Sequence, residues 1–315
     1  MDSSHVWQEG PHVGPGEARS AAQQGDDRKD SAPPAAAVGP AATNAAKIAR
    51  WYDAKADWQW AWVDRNPVEY AVTLRVLADY LPPPPARILD VGGGPGRYAV
   101  VLAQQGYRVT LFDLSAESLA LARRKVAEHG VALDDFVHGT ATDLSALADE
   151  QFTVVLAMGP FYHLLTLAER QQALAEARRV LAPGGVLFAS FLCRFTPLRF
   201  AAHHSLTGVY PGPGTDQFLA NGVMVLSGDP TVEGGWVDAY CEHPQAIRPF
   251  MEAGGFTTLD LVGTEGIYSF LQDKAHGVPR ERWDAVIDLN YRLGKEPSLH
   301  GAAEHLLYVG QKPAR

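Results

Sequence analysis

After residue 86, the apolar residues of this chain alternate between two periodicities. Short apolar runs at 87–91, 108–113, 135–137, 153–157 and 186–192 have the length and β-branched content of buried strands. Between them, the helical period predicts helices over 97–105, from Ser115 to His129, and over 167–181. Gly106 and Gly130 stop the first two of these, and Ser115 caps the second. Strand and helix in regular alternation imply right-handed βαβ units, hence a parallel sheet covered on both faces. Residues 193–243 break the rhythm and are too long for a simple loop, which predicts a cap. The pattern resumes with a helix over 244–253, stopped by Gly254-Gly255, and a strand over 257–262. A second insertion, 265–303, contains a helix over 283–293 and leads into a last strand over 304–310.

Residues 44–85 are read as helices forming a wall in front of this domain, which then spans 86–315. Trp51, Tyr52, Trp58, Trp60 and Trp62 crowd the first part. Such aromatics either pack a helix onto the core or line a pocket for a planar or cationic ligand. Asn66-Pro67 starts the next helix, with an expected apolar stripe of Tyr70, Leu74, Leu77 and Leu81, and the proline run 82–85 ends it. Residues 1–43, rich in Ala, Gly, Pro, Gln and Asp, have too few large apolar residues to offset ordering and read as a disordered leader.

Composition narrows the function. With 46% hydrophobic residues in 315, the chain can bury a full core. A formal net charge of −9 argues against a nucleic-acid partner. No stretch is long and apolar enough to suggest a membrane partner, and no secretion signal is evident, so a cytoplasmic location is expected. Cys193 and Cys241 lack metal-ligand spacing and read as reduced thiols. No histidine pair at helical spacing has a third ligand nearby, so no metal site is expected.

The chemistry gathers after the first strand, at Asp90-Val-Gly92-Gly93-Gly94-Pro-Gly96-Arg97. A strand, a glycine turn and a helix start bring backbone N–H groups and a helix dipole to a polar ligand. The dinucleotide fingerprint would need glycine where Arg97 stands, which disfavours an NAD-dependent oxidoreductase. An acidic strand end followed by Gly-x-Gly-x-Gly resembles instead the first motif of class I S-adenosylmethionine-dependent methyltransferases. Asp113 closes the second strand 17 residues after Gly96, where an acid can accept from both ribose hydroxyls of an adenosine group. Met158-Gly159-Pro160-Phe161-Tyr162-His163-Leu164 follows the fourth strand and is similar to the loop of bacterial small-molecule members.

This resemblance, close over 86–192, implies a doubly wound α/β fold, Rossmann-like, with a seven-stranded, mostly parallel sheet of order 3-2-1-4-5-7-6. It implies S-adenosyl-L-methionine as cofactor, held by Tyr52, Asp90, Gly92, Gly93, Gly94, Asp113, Leu114, Thr142, Asp143, Leu144 and Met158. Asp143 would accept from the adenine amino group, although it serves equally well as a local N-cap. His163 is the first candidate for a general base and Tyr162 for orienting the substrate. A histidine simply packed under the loop is the competing reading of His163. His203, His204 and His243, the last beside Glu242, are weaker candidates. The acceptor would be a small organic molecule suited to aromatic walls, methylated on O, N or C by a monomer or homodimer. The absence of Asn or Asp before Pro160 agrees with the charge in demoting nucleic acid. The Ala-rich, Arg-over-Lys composition suggests a high-GC bacterium and a place in secondary metabolism. The same domain with non-methylating chemistry, a cyclisation or decarboxylation, is the main rival.

Overall fold

Alternating side chains along each strand divide the core into two apolar layers. A computed structural model describes residues 43–204, 212–226, 228–231, 236–275 and 277–314. The expected leader, the Tyr210-Pro211 stretch and Gly234-Gly235 lie outside the described residues.

The parallel strands are β1 (Arg87–Val91), β2 (Arg108–Asp113), β3 (Asp135–His138), β4 (Phe152–Ala157) and β5 (Leu181–Cys193). β6 (Val223–Met224) and β7 (Ala239–Glu242) follow within the cap, then β8 (Thr257–Gly263) and β9 (His305–Gln311). The sheet runs β3-β2-β1-β4-β5, and β5 continues to β9 and β9 to β8 by antiparallel pairing. Counting β8 and β9 as sixth and seventh, this is the expected order with one antiparallel strand. The β6–β7 ribbon is an addition: β7 runs parallel to the last two residues of β5, Leu192 beside Cys241.

Ile88 and Leu89 show the division of the core. Leu89 faces a layer with Phe112, Val155 and Leu187, covered by α7 (Leu167–Val180) and α10 (Pro244–Ala253). Ile88 faces the other, with Val109, Leu111, Val154 and Phe188. There the cover is α4 (Pro67–Tyr80), α5 (Arg97–Gln104), α6 (Ala116–Glu128) and α11 (Arg280–Gly294). The face of α4 that is buried is Val68, Val72, Thr73, Val76 and Leu77; of the expected Tyr70/Leu74/Leu77/Leu81 stripe only Leu77 is on it. The β-branched residues fit flush against the flat sheet. Tyr70 and Leu74 turn to flanking helices and stay half-buried.

β5 begins five residues earlier than expected, at Leu181. Phe152 pairs with Leu181 but Val154 with Val186, so the Pro183-Gly184-Gly185 turn bulges out of a continuous strand. Ahead of α4 stand three short helices, α1 (Asn44–Ala54), α2 (Ala56–Trp60) and α3 (Trp62–Arg65). The cap contributes α8 (Thr196–His204) and α9 (Pro213–Asn221). Among the described residues, no helix is long and apolar enough to cross a membrane.

Candidate active site

The strand order reverses between β1 and β4, and the glycine turn after β1 lies at that break. Gly92, Gly94 and Gly96 take left-handed φ of 69°, 56° and 83°. Gly93 is needed for space, because a Cβ there would lie 2.4 Å from Asp90 Oδ2. The turn therefore wraps the end of β1, burying Asp90 (1% exposed) with Oδ2 lacking a hydrogen-bond partner. Burial and the neighbouring Asp113 push the Asp90 carboxyl up to about 7.

At the end of β2, the Gly94 N–H donates to Asp113 Oδ2 and the Ser115 N–H to Oδ1, both at 2.7 Å. Burial raises Asp113 to about 6 despite these bonds. Each carboxylate oxygen keeps a further lone pair for a ligand hydroxyl. Leu114 is half-buried against Trp51 and Val237, and its carbonyl accepts from His138. In the loop after β3, Thr142 is half-buried, and exposed Asp143 faces Ser145, whose hydroxyl and N–H (3.0 Å) together lower its pKa. Leu144 is a core residue whose N–H donates to Glu176.

After β4, Met158 leads into a 3-10 turn, Pro160–His163, that packs against the glycine loop: a Cβ on Gly92 would meet the Pro160 ring at 2.8 Å. The Tyr162 hydroxyl faces the Met158 carbonyl, and its ring lies 4.8 Å from His163 and 6.3 Å from Trp236. His163, the first candidate for the base, is a buried ring, 7% exposed. Its Nε2 lies 2.8 Å from the Tyr52 hydroxyl. Burial lowers its pKa to about 4, so it is neutral and already engaged at physiological pH. Of the cap histidines, His203 stacks on Phe270 and His243 caps α10, accepting from the Gln245 N–H. Nothing is described of the His204 side chain.

α1 crosses this region and is tied down at three places. Asn44 donates to the His163 carbonyl. Asp53 accepts from Ser115 Oγ (2.6 Å) and the Glu117 N–H (3.2 Å) at the start of α6. Lys47 bonds the Leu226 carbonyl and Asp238 of the cap. Tyr52 is thereby held beside both His163 and Asp113, and burial and the Asp113 charge raise its hydroxyl pKa above the usual range. Of the pre-core aromatics, Trp51 is core, whereas Tyr52 is half-buried between His163 and Asp113. Arg97 spans Trp60 and Tyr70 by cation–π contact and pairs with Asp64, fixing α2 and α3 to the start of α5.

A second group of ionisable residues was invisible to sequence reasoning. Glu69 in the first turn of α4, Glu265 after β8 and His305 at the start of β9 converge, with one ligand atom of each within 4.8 Å of the others. His305 Nδ1 lies 2.5 Å from Glu265 and 3.7 Å from Glu69. No local spacing joins residues so far apart. The only signal was indirect: an antiparallel last strand brings its first residue to the carboxyl end of β5.

Residues 89–189 match a family model described as a methyltransferase domain. Among curated relatives, the tRNA 5-carboxymethoxyuridine methyltransferase of Escherichia coli K12 is 25% identical over 76% of this chain and 84% of its own. The ubiquinone biosynthesis O-methyltransferase of Xanthomonas axonopodis pv. citri is 36% identical over 50% of this chain and 62% of its own. Among solved structures, the [4+2]-cyclase SpnF superposes with a TM-score of 0.54 at 19% identity, covering 87% of this chain and 97% of that one. The cyclase likeness bears on fold alone. The domain match, the methyltransferase relatives and the glycine turn beside Asp113 agree with one another, and the cofactor is S-adenosylmethionine. Residues 89–189 thus form a methyltransferase domain of the class I S-adenosylmethionine-dependent type.

Proposed function

We propose that this enzyme methylates a nucleophilic atom of a small organic molecule. The observation that carries this reading is the aromatic cluster beside the crevice, formed by Tyr52 from α1, Tyr162 and His163 after β4, and Trp236 from the cap. Cationic side chains at its approaches are already committed, Lys47 to Asp238 and Arg97 to Asp64. A polyanion would find little to hold it there. A relative named for a tRNA substrate keeps nucleic acid as the arm to test against.

The cofactor fits the residues present. Asp113 has lone pairs for the ribose hydroxyls, the glycine turn admits a ligand close to the backbone, and Asp90 carries an unpartnered oxygen beneath that turn. When bound, it supplies an electrophilic methyl group on a sulfonium whose departure needs no protonation. The protein's share is then alignment and exclusion of water. Tyr52, fixed by His163, lies between the Asp113 end and the Tyr162–Trp236 end and is assigned to positioning.

Calorimetry and a transfer assay test this together. Asp113→Ala should weaken S-adenosylhomocysteine binding by about 1.5–3 kcal/mol, the worth of hydrogen bonds to a charged acceptor. Label from methyl-tritiated S-adenosylmethionine should enter small molecules of a cell extract and not bulk tRNA. Label in tRNA would overturn the small-molecule reading, and binding without any transfer would favour the cyclase-like rival.

A further inference from the structure

We propose that Glu69 is the proton acceptor of this site and that the acceptor substrate is an amine, bound as its ammonium form. This rests on the methyl-transfer reading above and adds the substrate class.

The Glu265 carboxylate is saturated: Oε1 accepts from the His305 Nδ1–H, and Oε2 accepts from the N–H groups of Glu304 and His305 and from the Thr264 hydroxyl. Burial alone would lower the His305 pKa, but the two carboxylates outweigh it and hold the ring protonated, pushed up to about 10. Glu265 and His305 therefore cancel. Burial leaves Glu304 near neutrality at about 7, with Arg199 as its partial counter-charge. Glu69 remains as the carboxyl in surplus, its pKa raised by burial against the opposing His305 charge, which suits a group that takes up a proton. Its Oε2 accepts from the Trp62 indole N–H at 3.1 Å, and Oε1 lies 3.7 Å from His305, beyond hydrogen-bond reach.

Shape agrees with charge. Glu69 lines a cavity of about 30 Å³ together with Tyr98, Met158, Ser190 and Thr264. That is roughly the volume of one water molecule, and so of an ammonium head. Met158 follows β4 and Ser190 lies on β5, so the cavity sits at the strand ends that carry the aromatic cluster, where the Tyr162 ring lies 6.1 Å from the His305 ring. Aromatic rings beside a buried carboxylate are the usual surroundings of an organic cation. A divalent metal is the competing occupant of this cluster, and the test below includes it.

The step balances without another reactant. One ammonium N–H bond breaks as the O–H bond forms on Glu69. The freed nitrogen lone pair forms the N–C bond, while the S–C electron pair stays on sulfur.

The test is calorimetry on the full chain saturated with S-adenosylhomocysteine, using aryl-ethylamines (2-phenylethylamine, tyramine, histamine), each paired with the corresponding alcohol. At least one amine should bind about tenfold tighter than its alcohol, a difference of roughly 1.4 kcal/mol. Glu69→Gln should abolish that preference and Glu69→Asp retain part of it, with S-adenosylhomocysteine affinity unchanged in both. The proposal is overturned if no amine in the panel outbinds its alcohol or if the preference survives Glu69→Gln. It is equally overturned if the variants lose S-adenosylhomocysteine affinity, which would give Glu69 to the cofactor, or if Mg²⁺ or Zn²⁺ binds and depends on Glu69. Failure of the wild type to bind S-adenosylhomocysteine would instead sink the parent reading.

Discussion

Asp90 and Asp113 end adjacent strands, and both carboxyls lie above the ordinary carboxylate range because burial penalises their charged forms. Asp90 has the starker environment, with one oxygen lacking any partner. Between pH 4 and 7 the folded chain holds a proton on Asp90 that the unfolded chain has released. Its contribution to stability is thus fully present below pH 4 and lost as pH rises through 7. A rise from 3.8 to about 7 corresponds to at most roughly 4 kcal/mol, at 1.36 kcal/mol per pH unit. Asp90→Asn, neutral throughout, should therefore be more stable than the wild type in urea at pH 8, with the gap closing at pH 4. A gap independent of pH would mean that Asp90 is solvated in the folded chain. A destabilised ground state at the glycine turn is what a ligand-binding position tolerates.

At the scale of elements, α1 is the piece whose placement depends most on single bonds. Its buried face is small, Ile48 and Trp51, so polar anchors hold it over the crevice. Asp53 is the strongest of them, since it tethers α1 and also caps α6 alongside Ser115. Asp53→Ala should cost about 0.5–2 kcal/mol of stability, as for loss of an N-cap. It should also weaken S-adenosylhomocysteine binding, because Tyr52 adjoins it in sequence; a variant with wild-type affinity would show that α1 does not bear on the crevice. The strands and helices over 87–192 were legible because each carries its own period and its own stop. The face of α4 was not, because Tyr70 and Leu74 satisfy the helical period as well as Val72 and Val76 do. Only the flat sheet opposite selects between them. His163 was ambiguous for a related reason: its loop identifies the position, but burial and the bond to Tyr52 decide the chemistry.

At the scale of the molecule, two of the hollows among the described residues lie at opposite ends of the sheet. The larger, about 380 Å³, lies at the amino ends of the strands among Thr153, Gly184 and Gln311. Size alone would make that the binding site, but it gathers no cluster of titratable groups. Parallel strands direct ligands to the carboxyl end, where the order reverses between β1 and β4. The position of the cofactor end was readable in the sequence, because its residues lie in one unbroken βαβ run. The acceptor end was not: Glu69, Glu265 and His305 meet only after an N-terminal helix and two C-terminal segments fold onto the same strand ends. A stability measurement separates the two openings. S-adenosylhomocysteine at 100 times its Kd should add about 2.7 kcal/mol, hence raise Tm by roughly 4–5 °C in a chain of this size. Gln311→Ala, at the amino end, should leave that rise intact, whereas Gly93→Ala, whose methyl would meet Asp90 Oδ2 at 2.4 Å, should remove it. The reverse pattern would move the cofactor to the other end of the sheet, and with it the roles assigned to Asp113, Tyr52 and Glu69.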